Sequence, residues 1–197
     1  MYPPKHYQEF KKEKLIEIIK NYPLATVISV EDNQPFITHL PLIYKNDVIY
    51  GHIDNNNPHR NVLQNNNEVT LIFSGPQSYI SPSSFKSNQL PTWNYIKLHI
   101  TGKVSKIENN KHIKQSIVEM TDSLEAPDYN YRLDINDERM EHLVHYISGF
   151  KIEDLNWEGK VKMSQDKPLE EFSIAKNKVI QSNKQSIENF IDNILAH

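Results

Sequence analysis

The stretch QPFITHLPLIYKNDVIYGHIDNNNPHR, from Gln34 to Arg60, decides the fold at this end of the chain. It predicts two extended segments, Phe36–Tyr44 and Val48–Ile53, joined by a turn of polar residues. A short helix follows, with Pro58 near its first turn, where a missing N–H costs least. The donors needed to hold a phosphate and a polar heterocycle are all present in this stretch, as Thr38, His39, His52, Asn57, His59 and Arg60.

The first extended segment is bracketed by prolines, which bias the residues before them away from the helical region. Alternation then places Thr38 and Leu40 on one face of the strand and Ile37 and His39 on the other. One interpretation is that the Thr38 hydroxyl and nearby backbone groups contact a planar ligand. The alternative is an ordinary edge strand whose histidine is hydrogen-bonded within the protein.

The segment GHIDNNNPHR contains the start of the short helix. Asn57 has the residue type of an N-cap, and a helix N-terminus presents free N–H groups to an anion. Arg60 adds a planar fork of donors that suits phosphate oxygens. A capped helix with a solvated arginine is the simpler alternative.

The segments YISPSSF and LPTWNY are locally rich in aromatic residues. Trp93 and its aromatic neighbours could flank a flavin, pyridoxal or haem ring, and Asn94 could orient that ring. In the later segment WEGKVKMSQDK, Lys160, Lys162 and Ser164 share one face of a predicted strand and could form an anion-binding row. Core packing for the aromatic residues and a solvated face for the lysines remain open as alternatives.

Composition excludes several functional classes. The chain has 0 cysteines, which rules out disulfides and thiolate metal sites and fits a cytoplasmic protein. Its formal net charge is -3, so there is no overall basic excess for DNA, although a local basic patch stays open. The nine histidines lack metal-site spacing, and no nucleotide-binding or serine-hydrolase motif occurs. We therefore expect no metal site and assign no catalytic residue.

The distribution of apolar residues indicates a soluble chain. No apolar run approaches the roughly 18 residues that a membrane-spanning helix needs, and the N-terminal segment lacks the apolar core of a signal peptide. We therefore expect neither secretion nor membrane association. The hydrophobic content of 38% is ordinary for a globular protein, and 197 residues can form one domain with a small appendage.

The order of periodic segments predicts an α+β protein, with an antiparallel barrel of about six strands and peripheral helices. The remaining predicted strands are Leu24–Val30, Val69–Phe73, which Gln77–Ile80 could continue after a kink, Tyr95–Ile107 and Ile147–Met163. The predicted helices are Lys5–Tyr22, Pro58–Asn65, Lys111–Leu124, Asp137–Tyr146, Leu169–Asn183 and Gln185–Leu195. We predict a barrel domain over residues 1–167 and a helical C-terminal extension over residues 168–197.

Six ordered segments together resemble the PaiB-type family of FMN-binding negative transcriptional regulators. They are MYPPKHY, PFITHLPL, GHIDNNNPHR, GPQSYISPSSF, PTWNYIKLHITGKV and SGFKIEDLNWEGKVKMSQDK. The resemblance covers most of the chain up to Lys167. It implies an antiparallel split β-barrel, related to pyridoxamine phosphate oxidase-like and flavin reductase-like proteins. It also implies a homodimer with FMN in a cleft between subunits, and repression of sporulation and degradative-enzyme genes.

The resemblance gives the candidate residues specific roles. The FMN phosphate would be held by Arg60, Lys162 and Ser164, with help from Thr38 and the helix start at Asn57. The edge of the flavin ring would meet His39 and backbone around Leu40, and Trp93 and Asn94 would close the pocket, from either subunit. DNA is then a candidate partner, although no helix-turn-helix is evident. A flavin-dependent oxidoreductase and a haem- or pyridoxal-binding protein on the same barrel remain alternative functions.

Overall fold

A computed structural model of the chain describes residues 4–184. Their strands are β1 (Gln8–Glu9), β2 (Leu24–Glu31), β3 (Gln34–Pro41), β4 (Ile43–Lys45), β5 (Val48–Asp54), β6 (Glu68–Ile80), β7 (Thr92–Ile107) and β8 (Ile147–Lys162). Their α-helices are α1 (Lys12–Asn21), α2 (Asn110–Glu125), α3 (Glu138–Leu143) and α4 (Leu169–Lys184). Short 3-10 helices occupy Lys5–Tyr7, Pro58–Asn61 and Pro82–Ser84.

The strands form one sheet in the order β3-β2-β6-β7-β8-β5-β4, and β1 pairs with β8. The pairs β2–β3, β2–β6, β4–β5 and β5–β8 are antiparallel. Within residues 4–184 the path has two ends, β3 and β4, so the sheet does not close on itself. This open antiparallel sheet with its accompanying helices confirms the predicted split-barrel class, with eight strands where the sequence predicted about six.

The chain packs as two compact units. The larger unit comprises Glu9–Ser74 and Lys97–Gly159, and the smaller unit comprises residues 4–8, Gly75–Ile96 and residues 160–184. Helix α4 belongs to the smaller unit. The predicted boundary after residue 167 stays a prediction.

The core of the larger unit follows from the alternation of its strands. Along β2, Ala25, Val27 and Ser29 are buried while their neighbours are more exposed, as expected for a sheet with one covered face. Gly51 on β5 lies where the packing is close, because a Cβ there would stand 2.4 Å from Leu42 Cδ2. Fully buried side chains of this core include Leu42, Ile49, Leu71, Phe73, Leu98, Ile100 and Ile152.

The N-terminal helix begins later than its apolar periodicity predicted. Residues 5–11 instead form a 3-10 turn, strand β1 and an extended link, and α1 starts at Lys12. The Glu9 carboxylate accepts hydrogen bonds from the N–H of Phe10 and of Lys11, at 3.1 and 3.0 Å. It also pairs with Lys14 Nζ at 2.8 Å. These contacts stabilise a non-helical chain before α1, which the spacing of apolar residues does not encode.

Other element boundaries also differ from the predictions, including the start of β7 at Thr92 and the end of α3 at Leu143. The extended run Phe36–Tyr44 is two strands, β3 and β4, separated at Leu42, whose N–H donates to the carbonyl of Pro23 at 2.9 Å. Strand β6 runs on to Ile80 without ending at Ser74-Gly75-Pro76. The predicted helix over Pro58–Asn65 is shorter, a 3-10 turn that ends at Asn61.

The predictions for β2, β5, α2 and α4 are confirmed within two residues at each end. The region Ile147–Met163 is one long strand, which was one of the two forms predicted for it. The predicted helix over Gln185–Leu195 lies outside the described residues. None of the helices within residues 4–184 is both long and apolar enough to cross a membrane.

Candidate functional site

Three polar residues from the donor-rich stretch lie together in the larger unit. They come from strand β3 and from the 3-10 turn that follows β5. The Thr38 hydroxyl lies 2.9 Å from His59 Nδ1 and accepts a longer hydrogen bond, at 3.4 Å, from Asn57 Nδ2. Asn57 also caps the turn, because its side-chain oxygen accepts from the His59 N–H at 3.0 Å. We call Thr38, Asn57 and His59 the polar cluster.

His59 is the buried centre of the polar cluster, with only 2% of its surface exposed. Burial lowers the pKa of its imidazole from the usual value, so the ring is neutral at pH 7. No group among residues 4–184 hydrogen-bonds to its Nε2 atom. The ring of Phe36 lies beside it, with ring centroids 5.8 Å apart. Sequence reasoning included His59 among the donors but gave it no role.

Arg60 leaves the same turn and is held by a chain of neutral hydrogen bonds. Its Nε donates to Ser148 Oγ at 3.0 Å, and the Ser148 hydroxyl donates to Asn55 Oδ1 at 2.7 Å. Asn55 in turn donates through Nδ2 to the carbonyl of His145 at 2.9 Å. No carboxylate in the described part of the chain forms an ion pair with Arg60. The guanidinium therefore keeps its charge available while its position is fixed.

Two further predicted residues of β3 are divided between the faces of the strand. His39 is exposed, and its Nδ1 lies 3.1 Å from the Thr26 hydroxyl, which is directly opposite on β2. Leu40 is half-buried and shares the face of Thr38, as alternation predicted. The structure thus brings Thr38, Asn57 and Arg60 into one region and leaves His39 on the other face of the strand.

His52 was named with the donors, and the structure shows what it binds. Its Nε2 lies 2.7 Å from the Ser116 hydroxyl, which itself donates to the carbonyl of Ile113 at 2.8 Å. Because that hydroxyl proton is already used, the imidazole must donate from Nε2. Burial lowers the pKa of His52 to about 4, so it is a neutral link between β5 and α2.

The smaller unit contains an open cavity of about 660 Å³, a volume suited to a small-molecule ligand. Four aromatic side chains, two lysines and one carboxylate are among the residues that line it. The lining residues are Pro4, Tyr7, Phe85, Asn88, Gln89, Leu90, Pro91, Thr92, Trp93, Tyr95, Lys162, Ser164, Asp166 and Lys167. Three predicted cofactor residues, Trp93, Lys162 and Ser164, are therefore together in one concave site.

Asn94 supports this cavity from behind. It is fully buried, and its side chain forms a reciprocal pair with the Ser164 hydroxyl, at 3.0 and 3.1 Å. Ser164 follows the end of β8 in a left-handed conformation with φ 62, and its carbonyl accepts from the Lys167 N–H at 3.1 Å. The chain therefore turns sharply at Ser164, and Asn94 fixes that turn.

Lys162 and Trp93 provide the charge and the apolar surface of the cavity. Lys162 Nζ donates to the Thr92 hydroxyl at 2.7 Å, and no carboxylate among the described residues pairs with it. Trp93 is 51% exposed, and its ring centroid lies 6.3 Å from that of Tyr79. A half-exposed indole and an ammonium without a carboxylate partner, in the same cavity, are suited to a planar anionic ligand.

Tyr7 and Asp166 form part of the cavity that sequence reasoning did not assign. The Tyr7 hydroxyl donates to Asp166 Oδ1 at 2.9 Å. Burial, and next the Asp166 carboxylate, raises the pKa of Tyr7 to about 12, so the phenol remains protonated. Both residues lie inside motifs that carried the family resemblance, MYPPKHY and MSQDK, and that was the available signal.

Within residues 4–184, no group of three acidic, histidine or cysteine side chains could hold a metal.

Comparisons with known proteins fit these observations. Residues 1–153 match a family model described as "Putative FMN-binding domain". The chain is 30% identical over 173 residues to "Protease synthase and sporulation protein PAI 2" of Bacillus subtilis, covering 85% of this chain and 83% of that protein.

Two solved structures share the fold at low sequence identity. The flavocytochrome Anf3 from Azotobacter vinelandii is 15% identical, with a TM-score of 0.66, over 87% of this chain and 78% of that one. The FAD and heme binding protein from Mycobacterium smegmatis is 18% identical, with a TM-score of 0.64, over 86% of this chain and 80% of that one. The family match confirms a flavin as the cofactor class, and the chain belongs to the PaiB-type family of FMN-binding proteins.

Proposed function

We propose that this chain binds FMN in the cavity of the smaller unit and acts as a flavin-dependent negative regulator of gene expression. The observation that carries the proposal is the convergence of Trp93, Lys162 and Ser164 on one cavity of about 660 Å³. Trp93 and Lys162 lie about seventy residues apart in the chain, so local sequence alone does not bring them together.

Each side chain has a chemical role in this proposal. Trp93 offers a flat apolar surface to the isoalloxazine ring, and the Lys162 ammonium offers a charge to the phosphate. Ser164 and Asn94 keep the turn after β8 in place, so that Lys162 keeps its position. Bound FMN would supply electron-transfer chemistry, for which the protein provides binding and orientation.

Arg60, with Thr38 and Asn57, completes the proposed set of FMN contacts. Arg60 is fixed through Ser148 and has no carboxylate partner among residues 4–184, which supports a role with an anion. In the proposed homodimer, a cleft between subunits can take one set of residues from each protomer. His39 and the backbone at Leu40 are proposed to meet the edge of the flavin there.

The first experiment uses the two tryptophans, because one lies in each unit. In a Trp157→Phe protein, Trp93 is the remaining tryptophan, and in a Trp93→Phe protein it is Trp157. Titration with FMN should quench Trp93 strongly and saturably, at one FMN per subunit. Equal, weak quenching of both tryptophans, with no flavin retained through gel filtration, would refute FMN binding in this cavity.

Charge variants then test the phosphate contacts. Lys162→Met should raise the Kd for FMN about 10- to 100-fold, since a hydrogen bond to a charged group contributes about 1.5–3 kcal/mol. Lys176→Met is the matched control, because Lys176 is an exposed lysine of α4 in the same unit. Arg60→Ala should weaken FMN binding by a similar factor, and unchanged affinity would remove Arg60 from the site.

The proposed homodimer is supported by an apolar surface on the outer face of the β2–β3 hairpin. Leu24, Val30 and Ile37 there are 62%, 64% and 58% exposed, and Ile37 lies opposite Ile28 across the two strands. A second copy of the same face would cover these side chains in a two-fold contact. Ile37→Lys should yield a monomer in sedimentation, whereas Leu169→Lys on α4 should not. A wild-type monomer would refute the dimer.

The regulatory role is supported by the similarity to PAI 2, whose name refers to protease synthesis and sporulation. We propose that flavin occupancy controls a repressor activity of this kind, in the cytoplasm. The net charge of -3 means that any DNA contact would have to be local. Gel-shift assays with promoters of degradative-enzyme genes, with and without FMN, should show retardation that falls steeply with salt. No retardation, together with rapid bleaching of bound flavin by NADPH, would indicate an oxidoreductase.

A further inference from the structure

One wall of the cavity is a segment without regular secondary structure. Residues 85–91 lie between the 3-10 turn at Pro82–Ser84 and strand β7, and five of them line the cavity, namely Phe85, Asn88, Gln89, Leu90 and Pro91. A segment that has no ladder of backbone hydrogen bonds must be fixed by its side chains if it is to present a constant surface.

Two of these side-chain contacts converge on one carboxylate of helix α4. Glu171 accepts a hydrogen bond from Gln89 Nε2 at 2.8 Å and a short hydrogen bond from the Ser87 hydroxyl. Gln89 Nε2 also lies 3.0 Å from Ser87 Oγ, so the three side chains form a closed triangle. Hydrogen bonds to a charged acceptor are about twice as strong as neutral ones.

Helix α4 is itself anchored, which makes Glu171 a fixed point. One turn beyond Glu171, Ala175 is fully buried, and Val179 follows one turn later at 2% exposure. These two residues pack with Ile80, and Phe85 and Met163 pack against the same cluster. The start of the wall segment at Phe85 and its middle at Ser87 and Gln89 are therefore both attached to α4.

We propose that Glu171 is a positioning residue that holds the wall segment 85–91 in the shape that admits FMN. The inference rests on the proposed function of this cavity, but it concerns the C-terminal helix, which lies beyond the residues matched by the family model. Glu171 does not line the cavity; it acts through Ser87 and Gln89. Glu171 orders the wall segment before the ligand binds. Binding then does not include the unfavourable free energy of ordering this segment.

The test compares neighbouring glutamates in a Trp157→Phe background, with FMN affinity read from the quenching of Trp93. Glu171→Ala should raise the Kd for FMN about tenfold, and Glu171→Gln, which keeps one acceptor, should recover part of that loss. Glu170→Ala is the matched control, because the pair of Glu170 with Lys86 of the wall segment is long, at 3.5 Å, and both side chains are exposed. It should change the Kd less than twofold.

A double-mutant cycle separates positioning from a general loss of stability. Ser87→Ala with Gln89→Ala should raise the Kd by about the same factor as Glu171→Ala, and adding Glu171→Ala should then change nothing further. Wild-type affinity in Glu171→Ala, or fully additive effects, would overturn the proposal.

Hydrogen exchange tests whether Glu171 positions the wall segment, independently of FMN binding. If Glu171 holds the wall, the amides of residues 85–91 exchange faster in Glu171→Ala than in the wild type, whether or not FMN binds. Absence of FMN binding by the wild type, with faster exchange in the variant, would refute the flavin site but keep the positioning role. Unchanged exchange would refute the positioning role.

Discussion

Thr38, Asn57 and His59 in the larger unit bind mainly one another, whereas Trp93 and Lys162 in the smaller unit line open space. The polar cluster is built within about twenty residues of sequence and is centred on a histidine that is 2% exposed. The cavity joins Lys162 to Thr92, residues 70 apart in sequence, and its indole is half-exposed. The sequence motifs predicted cofactor-binding residues in both regions.

This difference shows that a motif rich in hydrogen-bond donors can stabilise the fold through bonds among its own members. A buried hydrogen-bonded cluster is costly to disrupt, because each lost partner leaves a polar group without water. A half-exposed side chain in a cavity can be substituted with a smaller loss of stability. Its substitution is therefore expected to change mainly the affinity for the ligand. The variants below measure stability in the two regions, with Trp157 reporting on the larger unit and Trp93 on the smaller one.

The largest loss of stability is expected at the buried pair behind the cavity. Asn94→Leu leaves the Ser164 hydroxyl, 5% exposed, without its partner, and should lower the free energy of unfolding by about 3 kcal/mol. Urea denaturation followed by Trp93 fluorescence measures it. Adding Ser164→Ala removes the orphaned hydroxyl, so the double variant should be more stable than Asn94→Leu alone. A double variant that is less stable would show that the pair is not the cause.

Acid should weaken the larger unit through His52. Its folded pKa of about 4 lies below the unfolded value of about 6.5, so the unfolded state binds the proton first as the pH falls. The contribution of His52 to the free energy of unfolding is complete above about pH 7.5 and should fall by about 2 kcal/mol between that pH and about pH 5.

Urea denaturation of the Trp93→Phe protein, read at Trp157, measures this loss across the pH range. His52→Gln has no imidazole to titrate at this position and should lose correspondingly less stability over the same window. Equal pH dependence of the two proteins would exclude His52 as the origin.

Paired threonine variants separate buried from exposed hydrogen bonds to histidine. Thr38→Val removes the partner of buried His59 and should cost about 1–2 kcal/mol. Thr26→Val removes the partner of exposed His39, where water can replace the hydroxyl, and should cost less than about 0.5 kcal/mol. Thermal denaturation of the two variants measures both losses of stability. Equal losses would mean that the burial of His59 does not determine how much the hydrogen bond contributes.

A loss of stability smaller than that of Asn94→Leu is expected at the N-cap of the turn. Asn57→Ala removes the acceptor of the His59 N–H and should cost about 1 kcal/mol. Asn57→Asp keeps that acceptor and should retain most of the stability, as measured by urea denaturation. If Asn57→Asp were as destabilised as Asn57→Ala, the capping hydrogen bond would not explain the loss.

Much of the fold could be predicted because its signals are local. Alternation in the β2 segment and the helical spacing of α2 and α4 are direct consequences of which side chains the core covers. The late start of α1 could not be predicted, since it depends on the contacts of one carboxylate, Glu9. The sequence left open whether Gln77–Ile80 continues β6 beyond Pro76, and strand pairing makes the strand continuous despite the local turn residues.

The sequence by itself determined the class of fold, the family and which side chains carry charge, since these depend on residue types and their order. Only the tertiary structure decided how those side chains are used. It buried His59, half-buried His52 against Ser116, paired Asn94 with Ser164, and set Lys162 in a cavity whose wall is attached to Glu171. The physical reason is that burial and the pairing of distant residues depend on how strands and helices pack, which residue type and local spacing do not specify.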